Sequence, residues 1–185
     1  MRISPPARRA ALLCAALLWG TPPATGQEAP SRPSPFEGWA TYQVPAEWSS
    51  LSLGSGFDRE VRLSHLRYTI RIRLLGGKGS KYPTPGDFLD GFEARSLGRP
   101  PQKKGTETIS GIKVISFLRK VPVDAGDPAS VSSEAPKLAK EEFLIVPARE
   151  RFFLLSYSFE SPMPDLRDME NKAWRPFLKS FLIKR

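Results

Sequence analysis

The 185-residue sequence contains one cysteine, one histidine and one asparagine. A single Cys, Cys14, forms no intrachain disulfide and no thiolate zinc cluster. A single His, His65, cannot build the two- and three-histidine centres of common zinc enzymes, so no metal and no cofactor is expected. Long apolar runs are also missing. The longest, Ala10 to Trp19, covers ten residues, about half of what a membrane-crossing helix needs. Acidic residues are outnumbered, 19 against 28 Lys and Arg, which leaves a formal charge of +9. Proline is plentiful at 19, and with 40% hydrophobic and 25% charged residues the chain is neither disordered throughout nor a membrane bundle.

The amino terminus reads as an address. Arg2, Arg8 and Arg9 come first, no acid precedes Glu28, and the apolar run is followed by Gly20 and Pro22-Pro23. Ala24-Thr25-Gly26 then supplies small residues where signal peptidase reads. Residues 1–26 are therefore expected to be a cleaved secretory signal peptide, and the protein periplasmic or extracellular. Cys14 follows the bulky Leu13 in mid-run, which suits an ordinary apolar residue and not a lipid attachment site. The Arg8-Arg9 pair reads as a plain basic flank, since the rest of a twin-arginine pattern is missing. Cleavage after Gly26 would leave a cysteine-free chain of charge +6, held by its hydrophobic core alone. About 150 residues suffice for that, because a domain of this size buries roughly 70% of its unfolded surface.

Residues 27–35 (QEAPSRPSP) alternate proline with small and polar residues and read as an extended tether. Residues 36–185 are expected to form one domain, interrupted by a flexible loop at 122–136 with no large apolar residue but valine. Short strands are expected at Ala40 to Val44 and over 49–53. Val61 and Leu63 alternate with Arg62 and Ser64, and Tyr68, Ile70, Ile72 and Leu74 alternate with Thr69, Arg71 and Arg73. Thr84-Pro85-Gly86-Asp87 opens a helix with a cap, a proline and an acid in its first turn. Phe88, Leu89, Phe92 and Leu97 are its expected buried stripe. A hairpin follows across Ser110-Gly111, then a second strand pair, Glu142 to Val146 and Arg151 to Phe159, across Pro147-Ala148-Arg149-Glu150. Phe152 and Leu154 on one side, with Phe153, Leu155, Tyr157 and Phe159 on the other, mark a central strand covered on both faces. Leu166 to Ile183 has helical spacing, with Pro176 placed to kink or split it. Strands, a helix, two antiparallel pairs and a closing helix give the α+β class.

This order, together with several local words, resembles the PsbP-like domain. That fold is shared by the extrinsic photosystem II subunit PsbP, a nuclear Ran-binding protein and many small bacterial exported proteins. The words are YQVPAEW at Tyr42 to Trp48, YPTPGDFLDGF at Tyr82 to Phe92, ISGIKVISF at Ile109 to Phe117, and FFLLSYSFESP followed by WRPFLKSFLI. The resemblance covers roughly residues 38–185, and the chain departs from the family by its 122–136 loop and by Pro176. It implies an α/β/α sandwich and a non-catalytic binding or assembly role, and it carries no site residue across.

Direct evidence of catalysis is thin. His65 has no nucleophile motif near it and reads as a strand-end histidine. Gly76-Gly77-Lys78-Gly79-Ser80 lacks the spacing of a phosphate loop and reads as a turn. Asp87, Asp90 and Glu93 lie at three-residue steps, as a helix start favours for its dipole alone. Asp124 and Asp127 lack the further oxygens of an EF-type calcium loop. Trp39 and Trp48 read as core. The biased feature is basic. Arg67, Arg71 and Arg73 are expected on one strand face, with Lys78 and Lys81 beyond, Lys113 and Arg119 on another strand, and Lys103-Lys104 near a strand start. Such a face suits an acidic envelope component or protein partner, while nucleic acid is disfavoured by export. The same residues also read as a solvated sheet edge kept from self-association. Lys172, Arg175 and Lys179 read as the wet side of the closing helix. Two other functions stay open: a carboxylate-dependent hydrolase, which needs two converging acids, and a periplasmic chaperone or scaffold, which needs an apolar groove.

Overall fold

The computed structural model describes residues 35–54, 57–122, 138–160 and 169–184. The expected signal peptide, the tether through residue 34 and the loop after Pro122, with Asp124 and Asp127, lie outside the described residues. The protein is an α+β fold dominated by strands. Seven of them, β2 (Ser49–Leu53), β3 (Arg59–His65), β4 (Tyr68–Leu75), β5 (Gln102–Ile109), β6 (Ile112–Pro122), β7 (Leu138–Ala148) and β8 (Arg151–Glu160), form one antiparallel sheet. Their spatial order is β2-β3-β4-β8-β7-β6-β5. The short β1 (Ala40–Thr41) pairs separately with β9 (Leu182–Ile183).

Period-two patterning sets the two faces of this sheet. In β4, Tyr68, Ile70, Ile72 and Leu74 are buried while Thr69, Arg71 and Arg73 turn the other way. β8 lies at the centre and buries Phe153, Leu155 and Tyr157 on one face and Phe152 and Leu154 on the other. The β5–β6 turn uses Ser110 and Gly111, both at positive φ (52° and 78°), as a tight two-residue hairpin requires. Pro147 and Ala148, expected in a turn, continue β7, and the turn shrinks to Arg149-Glu150. Proline is tolerated there because β6 pairs with β7 only as far as Leu144, so Pro147 borders no strand on that side.

One face is covered by the segment from Phe36 to Trp48 and by the closing helical segment. There Trp174, Phe177 and Phe181 pack on Phe36, Phe153 and Tyr157. Each such fully buried side chain stabilises the fold by about 1.5–3 kcal/mol. The closing segment ends earlier than its spacing implies, and its expected start at Leu166 lies outside the described residues. A π-helical turn, Glu170–Trp174, runs without a break into α2 (Arg175–Ser180), and Pro176 lies just past that turn, so the proline's missing N–H coincides with the departure from α-helical pairing. The helix ends at Ser180, and Leu182 and Ile183 pair instead with Thr41 and Ala40.

The other face carries α1 (Pro85–Asp90). Thr84 accepts a hydrogen bond from the Asp87 N–H while Asp87 accepts one from the Thr84 N–H, a reciprocal cap. Phe88 plugs the helix against Tyr82 and Phe143. The expected apolar stripe does not continue. Gly91 is extended, and a Cβ on it would lie 2.8 Å from the Tyr82 ring. The chain leaves the helix there, Ala94 becomes the buried residue, and Phe92 and Leu97 are 83% and 62% exposed.

Candidate functional site

The α1 face of β3 and β4 collects the basic residues. Val61 and Leu63 are buried on the closing-helix face, so Glu60, Arg62 and Ser64 turn to the α1 side. The register sets Arg62 directly opposite Arg71, Glu60 opposite Arg73, and Ser64 opposite Thr69, with Ser156 of β8 on the far side of Arg71. Like charges directly opposite one another across strands destabilise the pair. Glu60 offsets this in part, lying 3.5 Å from Arg62 Nη2 and 3.7 Å from Arg73 Nε. Arg73 also donates to Glu93 at 2.9 Å, and Lys81 donates to the same carboxylate. Burial alone pushes Glu93 up, but the hydrogen bonds from Lys81 and Arg73 outweigh it and hold the carboxyl below its ordinary value. Arg71 makes no ion pair among the described residues, and the Nε atoms of Arg62 and Arg71 are buried without a hydrogen-bond acceptor there. The cluster holds four cations, Arg62, Arg71, Arg73 and Lys81, against the two acids Glu60 and Glu93.

Of the residues expected on this face, Arg71 and Arg73 lie side by side on β4. Arg67 is not on the strand face; it occupies the two-residue turn Leu66-Arg67 between β3 and β4. Lys113 is exposed on β6, separated from β4 by β7 and β8. Arg62 was not among the expected contact residues, although its alternation with Val61 and Leu63 was legible. Only the register of β3 on β4 reveals its partner.

Other candidates have structural partners. The His65 ring lies 5.8 Å from that of Trp48, with Nδ1 3.1 Å from the Glu47 carbonyl oxygen. Gly76 to Ser80 is a turn in which the Ser80 hydroxyl accepts from the Gly76 N–H and donates to the Tyr82 carbonyl. Asp87 belongs to the helix cap. Trp48 is core, whereas Trp39 is partly buried, with Arg149 and Arg151 over its ring.

Two buried acids had no clear signal. Glu141 and Glu142 lie in β7, and because both faces of that strand are covered, both are buried. Glu141 accepts from Arg119 Nε at 2.6 Å, beneath the Phe143 and Phe88 rings. On the opposite face Glu142 accepts from Ser116 and from Lys104, which a bulge in β5 displaces from the regular ladder. Glu170 joins Lys104 and Arg175 to the same group. Arg175 is therefore no wet-side residue: it bonds Glu107 and Glu170 and approaches Glu142. Nearby, the Tyr157 hydroxyl and Trp174 Nε1 are buried without a hydrogen-bond partner among the described residues, and burial pushes the Tyr157 hydroxyl up. Among the described residues no group of three or more His, Cys, Asp or Glu could hold a metal ion. No helix there is long and apolar enough to cross a membrane.

No family model and no curated protein matches the chain. Among solved structures, the fold is similar to the crystal structure of LpqN, involved in cell envelope biogenesis of Mycobacterium tuberculosis. The two share 13% identity over 79% of this chain and 83% of that one, at a TM-score of 0.43. A likeness of that degree transfers no residue role.

Proposed function

We propose that this chain is an exported, non-catalytic binding or accessory protein of the cell envelope, built on a PsbP-like scaffold, that holds an acidic partner on its Arg62–Arg71 face. The observation that carries the reading is the like-charge pair itself. Two arginines set opposite one another, with one guanidinium lacking any ion pair among the described residues, form an arrangement that an anionic partner relieves and that folding alone does not favour. Guanidinium groups present planar donor forks suited to carboxylate and phosphate. The neighbouring hydroxyls of Ser64 and Thr69 can extend the same contact. Export is supported by Arg2, Arg8 and Arg9 ahead of the Ala10 to Trp19 run and by the small residues Ala24 to Gly26. A two-carboxylate hydrolase is less well supported, since Glu141 and Glu142 point to opposite faces and each already has a cationic partner.

The test is retention of the protein by the envelope membranes of its own cells as salt rises. Binding at this face should weaken steadily as the screening length falls from about 10 Å at 0.1 M to about 3 Å at 1 M. It should be lost in Arg62→Gln/Arg71→Gln and kept in Lys113→Gln. Salt-independent retention, or retention unchanged in the double variant, contradicts the reading.

A further inference from the structure

We propose a second binding site, independent of the arginine face, in a cavity of about 420 Å³ at the β5–β6–β7 end of the sheet; its ligand is a small organic anion with one flexible apolar tail. The volume lies within the roughly 300–1,000 Å³ of small-molecule sites. Three cations line it, Arg99, Lys120 and Lys140, and none has an ion pair among the described residues. Lys120 and Lys140 stand directly opposite one another on β6 and β7, a second like-charge cross-strand pair. Among the described residues no acidic side chain lines the cavity, and its fourth cation, Arg119, is already neutralised by Glu141. The head of the ligand is thus an anion.

Leu97 supplies the reason for the tail. It lines the cavity, is 62% exposed, and sits at φ 50° beside Gly98 at φ 83°. Reciprocal backbone bonds between Ser96 and Arg99 close this turn, and the Lys120 N–H donates to Ser96 Oγ at 3.0 Å, tying it to β6. Turns of this shape favour Asn or Gly at the position Leu97 holds. A leucine there is disfavoured by its backbone and unburied by the fold, so neither local propensity nor core packing explains it. Unlike Leu66, another exposed leucine at positive φ, Leu97 lines a cavity, where contact with an apolar tail accounts for it. Leu118 and Leu138, both partly buried, add to the apolar lining.

The experiment is calorimetric titration of decanoate, below its micelle concentration, into the protein expressed from the full sequence in its own host. Acetate and inorganic phosphate test the head alone, decyl maltoside tests the tail alone, and phosphatidylglycerol vesicles test a membrane surface. The expected result is saturable one-to-one binding of decanoate, weakened about tenfold or more in Lys120→Glu/Lys140→Glu and unchanged in Lys113→Glu and in Arg62→Gln/Arg71→Gln. Leu97→Asn should raise the urea midpoint while weakening decanoate, which general misfolding cannot do. Equal binding of acetate, phosphate or decyl maltoside overturns the proposal. So does binding of vesicles without decanoate, or decanoate binding unchanged in the charge or Leu97 variants.

Discussion

Glu141 and Glu142 are neighbours in β7 and are buried on opposite faces of the same sheet, each against its own cation. Burial of a charge is tolerated only when it is paired and hydrogen-bonded. Glu141→Gln leaves the Arg119 guanidinium buried without its counter-charge and should cost about 3–5 kcal/mol. Replacing Arg119 and Glu141 together by Met and Leu should cost much less. Urea midpoints of the single and double variants check this; equal losses would contradict a paired role.

The polar group around Glu170 makes stability depend on pH in a definite direction. Burial pushes Glu170 up, but hydrogen bonds from Arg175 and Lys104 outweigh it and hold the carboxyl below its ordinary value of 4.5. A depressed carboxyl stabilises the fold above that ordinary value, and the contribution is lost as pH falls through the folded value. Lys104 behaves oppositely: burial pushes it down, Glu142 and Glu170 outweigh that, and it rises above 10.5. Its contribution is complete below 10.5 and lost as pH climbs through the folded value. Arg175→Gln removes one of the donors to Glu170 and should move the acid loss of stability to higher pH. Urea midpoints from pH 7 down to pH 2 read this shift directly.

Glycine matters most after β4. Gly76 has φ 100°, and a Cβ there would lie 3.0 Å from Arg151 Cα and from the Phe152 ring. Gly76→Ala combines backbone strain with overpacking and should cost about 2–5 kcal/mol. Gly111 has φ 78° with nothing within 4 Å, so Gly111→Ala should cost only the backbone share, about 1–2 kcal/mol. Thermal unfolding of the two variants separates these contributions; equal costs would show that the Gly76 contact relaxes freely.

Local patterns were legible wherever one element decides its own state. The alternation of β4, the Thr84 cap and the Ser110-Gly111 hairpin are of this kind. What was not legible depends on long-range pairing. Phe92 looks buried by helical spacing, but the chain turns extended at Gly91, where it approaches Tyr82 more closely than a side chain would allow. Ile183 looks helical, yet its backbone gains a strand partner in Ala40. The Arg62–Arg71 pair required knowing that β3 and β4 join through Leu66-Arg67. Leu66, at φ 52° and 88% exposed, is not the glycine or asparagine that usually marks such a turn. Glu141 and Glu142 became recognisable as buried only once β7 was known to lie between β8 and β6.

The most direct measurement is the urea midpoint of the wild-type protein and of Arg71→Gln, at low salt, with and without a short polyglutamate peptide. Without the peptide, relief of the like-charge pair should stabilise Arg71→Gln by about 0.2–1 kcal/mol over the wild type, read as a higher midpoint. Polyglutamate, bound only by the folded state, should raise the wild-type midpoint and leave Arg71→Gln nearly unmoved. No rise in the wild type, or the same rise in both proteins, contradicts an acidic partner on the Arg62–Arg71 face.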